Sequence, residues 1–314
     1  MRVDVHAHYY PTAYLDLLDR YGGSETGTQV ARGPGGSESP SDLAERFTTM
    51  DQNGVDMQVL SITPQAPYLD DRSHAVELAG MINDLYADIV RQYPDRLAAF
   101  GIAPLPHVDD AVAEVSRCLD DLHFMGMAIN TEINGRSIAD PRFEPWWAAL
   151  NEHSAVCFIH PAGSGLSAPL IVEHSLTWPI GSPYEDTMAV MHLILADIPN
   201  RYPRIKFITG HLGGVLPFLS KRLDIQSGMF MPSGKQRPSE VARGMWYDTV
   251  NGNGASLRCA VDAFGESQFL LGSDYPHMRG ENYRLMVEYI KDSGLTSQAQ
   301  NSIYADNAWG ILSK

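Results

Sequence analysis

The sequence predicts an α/β fold: a single-domain (β/α)8 TIM barrel with a Gly-rich insertion after the first strand. Three observations carry that expectation. Eight short β-branched or apolar runs each precede a longer amphipathic segment, the alternation of parallel strands with helical crossovers. Three of the runs, at 59–62, 157–159 and 269–271, are apolar without alternating, as strands covered on both faces must be. A chain of 314 residues has room for eight such units, which favours a closed barrel over an open doubly wound sheet.

In chain order the strands are expected at 2–6, 56–62, 97–105, 125–130, 155–160, 206–210, 246–250 and 268–271. Between them, 41–53 reads as a helix entered through Ser41, with Leu43, Phe47 and Met50 on its apolar face. The stretches 110–122 and 186–198 repeat the 3.6-residue period, and Pro199 and Pro203 close the latter. The Gly-rich segment 22–40 has few large side chains. It reads either as a flexible surface excursion or as a lid over the barrel mouth. A second irregular stretch, 163–183, follows the fifth strand and is placed to wall a cleft. No linker or internal repeat divides the chain, so one domain is expected over 1–314.

Lys and Arg number 23 against 38 Asp and Glu, a net charge of −15. A surface so negative repels phosphate backbones and anionic bilayers, so neither a nucleic acid nor a membrane is expected as a partner. It leaves anionic small molecules open, because a bound cation reverses the field inside one cleft. The 3 cysteines, Cys118, Cys157 and Cys259, cannot build a disulfide framework and are expected as small buried hydrophobes in a reducing compartment. With no secretory pattern at the N-terminus and no apolar run of about 18 residues, the protein is expected in the cytoplasm.

Four motifs carry chemistry. In Val3-Asp4-Val5-His6-Ala7-His8 the alternation of a strand projects His6 and His8 to one side, where they can share a metal or simply pack. The apolar run at 155–159 ends in His160 and then in chain breakers. The run at 206–209 ends in Gly210-His211-Leu212-Gly213-Gly214, and the last strand ends in Gly272-Ser273-Asp274-Tyr275-Pro276. Asp274 can serve as ligand, general base or both, or cap a turn. In a closed barrel the C-terminal ends of strands one, five, six and eight surround one cavity, so these five residues converge there.

Together these motifs resemble the amidohydrolase superfamily, and within it the metal-dependent decarboxylase branch typified by the aminocarboxymuconate-semialdehyde, γ-resorcylate and 6-methylsalicylate enzymes. The likeness extends to Met50-Asp51-Gln52-Asn53-Gly54-Val55 and Asp306-Asn307-Ala308, and so covers nearly the whole chain. It implies that His6, His8, His160 and Asp274 hold one divalent metal ion, Zn2+ with Mn2+ as the alternative. It implies that His211 is an acid/base rather than a ligand, with Asp274 the other candidate for proton transfer. Arg222 matches an arginine that reaches a substrate carboxylate in the neighbouring subunit, and Trp178 an aromatic that walls the pocket. A homodimer or higher homo-oligomer is implied by the same likeness.

Two departures narrow it. Arg32 is the only cation within 22–40, where part of the branch carries a basic substrate-binding segment, and no Lys ends the fourth strand (128–130), which favours a mononuclear site. The expected reaction is non-oxidative decarboxylation of a small hydroxybenzoate-like or enol-like carboxylic acid. His211 or Asp274 protonates the carbon that bears the carboxylate, and loss of CO2 follows. Tyr9 and Tyr10 are placed either to stack on the substrate ring or to pack. Alternatives on the same residues are a hydrolase of a lactone or amide, or a hydratase. A non-catalytic binding protein on a decayed barrel ranks last, because all five positions are filled.

Overall fold

The computed structural model describes residues 1–313, the side chains at 24 and 25 excepted. Eight parallel strands follow one another around a barrel: Val3–His8, Met57–Ser61, Leu97–Ile102, Gly126–Asn130, Val156–His160, Lys206–Thr209, Trp246–Asp248 and Phe269–Leu270. The first and last strands meet through Val5 N–H to Leu271 O (2.9 Å) and His8 N–H to Tyr275 O (2.6 Å), with Ala7 bridged to Tyr275. The sheet thereby comes close to full closure, and all eight strand ends surround one space.

Several expected strands are too long, each for a local reason. The third stops at Ile102 because Pro104 and Pro106 follow and neither can donate to a ladder. The seventh stops at Asp248, whose carboxylate takes the Val250 N–H (3.0 Å) and turns the chain. Helix starts shift likewise. The helix Pro40–Gln52 is capped by Ser39, not Ser41, through a bond from the Asp42 N–H (3.1 Å). The segment expected at 110–122 is the helix Val108–Ser116 with a wider turn over Arg117–Asp121. The helix expected from 186 begins at Ser182 with Pro183 in its first turn, which puts Asp186 on a buried face.

The Gly-rich segment lies between the first and second strands and is not structureless. It follows the helix Thr12–Gly22 and contains the turns Gly23–Thr26 and Gln29–Arg32. Asp19 ties it down by accepting from Thr26 Oγ (2.6 Å), Thr28 Oγ (2.7 Å) and Arg32 (2.8 Å), and Arg279 anchors its far side through Glu45 and the Pro34 carbonyl. Among the cysteines, Cys118 and Cys157 are buried as expected, whereas Cys259 is exposed on the helix Gly254–Phe264. No helix among the described residues is long and apolar enough to cross a membrane.

Candidate metal centre and active site

His6 and His8 leave the first strand on the same side, as its alternation requires, and both are fully buried. They meet His160 from the fifth strand and Asp274 from just beyond the eighth. One ligand atom from each lies within 4.8 Å of all the others. A single oxygen, Asp274 Oδ1, stands 3.4 Å from His6 Nε2 and 3.2 Å from His8 Nε2. Asp274 holds this position in the left-handed region (φ 61°), its N–H bonded to the His6 carbonyl (2.8 Å).

Each imidazole is held at Nδ1, which leaves Nε2 for the centre. His6 Nδ1 pairs with Asp248 Oδ2 (2.6 Å), His8 Nδ1 with Ser61 Oγ (3.2 Å) and His160 Nδ1 with the Pro161 carbonyl (2.9 Å). That outer set of partners is what fixes the tautomer of a metal-ligating histidine. His6 Nε2 is buried with no hydrogen-bond partner, an orphan that a cation would satisfy. Three imidazole nitrogens and one carboxylate oxygen form the donor set of a catalytic divalent site, and the residues fit one.

The electrostatics agree. Burial drives His8 down to about 3 and His160 well below its ordinary value, so both are neutral and able to ligate. Burial alone would raise Asp274, but the His6 and His8 imidazoles close beside it hold it well below the usual carboxylate range. Burial also disfavours a charged His6, yet the Asp248 and Asp274 carboxylates outweigh it and push its pKa up to about 10.

His211 stands beside this group, its ring 5.3 Å from that of His6 and 6.1 Å from that of His160. It does not belong to the four-residue cluster. Its backbone N–H donates to Asp248 Oδ1 (2.9 Å), and residues 211–214 all have positive φ. Gly214 is required there, since a Cβ would stand 1.8 Å from the Pro183 carbonyl oxygen. His211 Nδ1 pairs with Asp186 Oδ2 (2.9 Å), which frees Nε2 for the cavity that the ring lines. Burial pushes Asp186 up to about 7 against the pull of His211, and Asp186 in turn raises His211 against its own burial.

Above the cluster opens a cavity of about 520 Å³. His160, His211 and Asp274 stand in its lining beside Trp178, Val250 and Met286. The stretch 163–183 does wall the cleft. Glu185, itself buried, accepts the N–H groups of Ala162 (2.7 Å), Gly163 (3.1 Å) and Gly165 (2.8 Å) and so clamps the start of that wall. Trp178 packs so closely over Gly163 that a Cβ there would meet its ring at 2.5 Å.

Three expectations fare differently. Arg222 lies exposed on the helix Leu216–Gln226 and is not among the residues lining the cavity. Tyr9 and Tyr10 do not line it either. Tyr10 stacks on His8 (5.6 Å) and bonds to Thr63 O and His277, so it packs rather than meeting a substrate ring. Asn130 ends the fourth strand, as the sequence indicated, and donates to the Pro64 carbonyl (2.8 Å).

Asp248, Asp186 and His277 were not singled out from sequence. Asp248 had a signal, because it ends a barrel strand just as His160 does. Asp186 had only its place in an otherwise apolar helix, and His277 none beyond lying three residues after Asp274.

An amidohydrolase family model matches residues 3–312. The chain is 26% identical over 317 residues to 2-amino-3-carboxymuconate-6-semialdehyde decarboxylase of Dictyostelium discoideum, covering 95% of this chain and 88% of that protein. It is 29% identical over 317 residues to 6-methylsalicylic acid decarboxylase of Penicillium expansum, covering 96% and 93%. The solved 5-carboxyvanillate decarboxylase of Novosphingobium aromaticivorans, which holds manganese, superposes with a TM-score of 0.88 at 22% identity over 100% of this chain and 97% of that one.

Proposed function

Because the chain belongs to the amidohydrolase family, we propose that it is a metal-dependent, non-oxidative decarboxylase of a small ortho-hydroxy aromatic carboxylic acid. The observation that carries this reading is the convergence of His6, His8, His160 and Asp274 beside His211, with His160, Asp274 and His211 lining one cavity. The matched relatives, both decarboxylases aligned over most of their length, support it and do not favour the hydrolase or hydratase alternative.

His6, His8, His160 and Asp274 would hold one divalent ion, whose charge neutralises the substrate carboxylate and the oxygen ortho to it. Zinc suits the nitrogen and oxygen donors; manganese, held by the carboxyvanillate enzyme, is the competing occupant. The ring of the substrate would occupy the cavity that Trp178 and Val250 help to line. His211 is assigned the proton, since its Nδ1 is held by Asp186 and its ring lines the cavity, while Asp274 is engaged in the four-residue cluster. From Nε2 the proton passes to the ring carbon bearing the carboxylate. The carbon–carboxylate bond then breaks, its electron pair restores the aromatic ring, and CO2 departs. Asp186 holds the imidazolium through Nδ1 and keeps the acid form populated. His211 regains its proton from solvent.

Two copies are proposed to pair across the helix Leu216–Gln226. Phe218 (82% exposed), Ile225 (73%) and Met229 (83%) form a stripe there that no monomer surface requires, with Arg222 among them. Arg222 would thereby serve the neighbouring cavity, and light scattering tests the pairing. The free cysteines suit a cytoplasmic setting. For the activity, the purified protein is assayed for metal and for CO2 release from a panel of hydroxybenzoates. About one ion per chain with stoichiometric CO2 is expected; full turnover after chelation rejects the reading.

A further inference from the structure

The cavity selects by what it lacks. Among the described residues, no Lys or Arg lines it. The nearby arginines are each engaged elsewhere. Arg32 lies between Asp16 (2.9 Å) and Asp19 (2.8 Å), whereas Val30, two residues earlier on the same turn, is the side chain that reaches the cavity. Arg279 is held by Glu45 and the Pro34 carbonyl. Arg46 is buried under Tyr275, donating to Gln58 and the His8 carbonyl.

In place of cations, Val30, Val250, Met278 and Met286 give the wall an apolar face. The uncharged polar groups present are Asn251 and Ser182, whose buried hydroxyl has no partner within the protein. Such groups satisfy a ring hydroxyl but offer no countercharge. The remaining ring at the rim, His277, is engaged by the Tyr10 hydroxyl (2.9 Å).

We propose that this cavity accepts ortho-hydroxy aromatic monoacids whose remaining ring substituent is uncharged and apolar, and rejects those bearing a second carboxylate, with Val30 and Met278 as the selecting residues. The inference rests on the decarboxylase reading above and narrows its substrate. One carboxylate has a partner at the metal centre and, in the proposed pair, in Arg222 of the partner subunit. A second would be desolvated against valine and methionine with nothing opposite it, at a cost no neutral hydrogen bond offsets. The net charge of −15 adds a long-range bias against dianions. A methyl at the same ring position instead gains contact with that wall.

The metal-loaded protein is titrated calorimetrically with 6-methylsalicylate and with 3-hydroxyphthalate, in which a carboxylate replaces the methyl, and CO2 release from each is followed. The methyl compound is expected to bind, and to turn over, at least about tenfold better. Val30→Arg and Met278→Lys are each expected to narrow or invert that ratio. Equal or tighter binding of 3-hydroxyphthalate by the unaltered protein overturns the proposal. If the methyl compound binds selectively but releases no CO2, the decarboxylase reading fails while the selectivity stands. Failure of both compounds to bind at millimolar concentration overturns both.

Discussion

His160 and Trp178 line the same cavity but are held in different ways. His160 ends a barrel strand with its main chain in the ladder and its Nδ1 bonded to the Pro161 carbonyl. Its neighbours in the cluster are fixed as firmly, through Asp248 and Ser61. Trp178 lies on an irregular segment and keeps 38% of its surface exposed. It is positioned by packing over Gly163 and by the Glu185 clamp at the start of the wall. The floor is specified by directional bonds on rigid strands, and the wall by shape on a loop. Substitutions in the floor should therefore abolish chemistry, whereas those in the wall should retune which ligand is taken.

The largest effect is expected at the floor. His8→Ala removes one of the four proposed ligands and leaves Asp274 without a main partner. Elemental analysis should find the metal lost and turnover at background, with circular dichroism unchanged because the ladder does not depend on this side chain. A variant that retained metal and rate would take His8 out of the centre.

Next comes His211, the proposed proton donor. His211→Asn should keep the metal and lower kcat by about 10²–10⁴-fold, the range for a lost general acid. Asp186→Asn tests the same step more gently. Burial lowers the His211 pKa and the Asp186 carboxylate more than offsets it, so the acid form persists to higher pH than in an ordinary histidine. Activity falls as pH rises through that raised pKa. Without that carboxylate, burial and the neighbouring His6 act downward against Asp248 alone, and the alkaline limb of kcat should move to lower pH. A limb that stays in place would separate Asp186 from proton transfer.

How much of this was legible in the sequence follows the same division. His6, His8, His160 and Asp274 could be found because strand ends of a closed barrel converge whatever the loops do. The partners that tune them were harder to find. Asp248 obeys the strand-end rule, but its strand was read two residues too long, to Val250, which hid it inside an apparent run. Asp186 lies on a helix whose start was misplaced by four residues, so its buried face could not be seen. The segment 22–40 looked loose because its stabilising bonds come from Asp19 and Arg279, residues outside it that no local pattern marks. The irregular stretch 163–183 was recognised as a wall, but nothing local indicates that Val30 completes it.

The floor's outer partners give the next prediction. Asp248 accepts from His6 Nδ1 and from the His211 and Val250 backbone, so one carboxylate orients a proposed ligand and the proposed proton donor together. Asp248→Asn preserves the shape but loses the charge that fixes the His6 tautomer. Metal affinity, measured by competition with a chromophoric chelator, should fall by about 10–100-fold. No change would mean that Asp248 serves the turn alone.

The smallest effect belongs to the wall. Trp178→Ala removes an aromatic face from the cavity wall but leaves the cluster and His211 in place. Because more than a third of that side chain already meets solvent, the apolar contact it gives a ligand is partial. The KM for the preferred hydroxybenzoate should rise about tenfold, with kcat and metal content close to those of the unaltered protein. That division of effect is the sharpest test of the comparison. Loss of kcat at constant KM would mean that Trp178 aligns the ring for protonation, and that the loop contributes to the chemistry as directly as the strand ends.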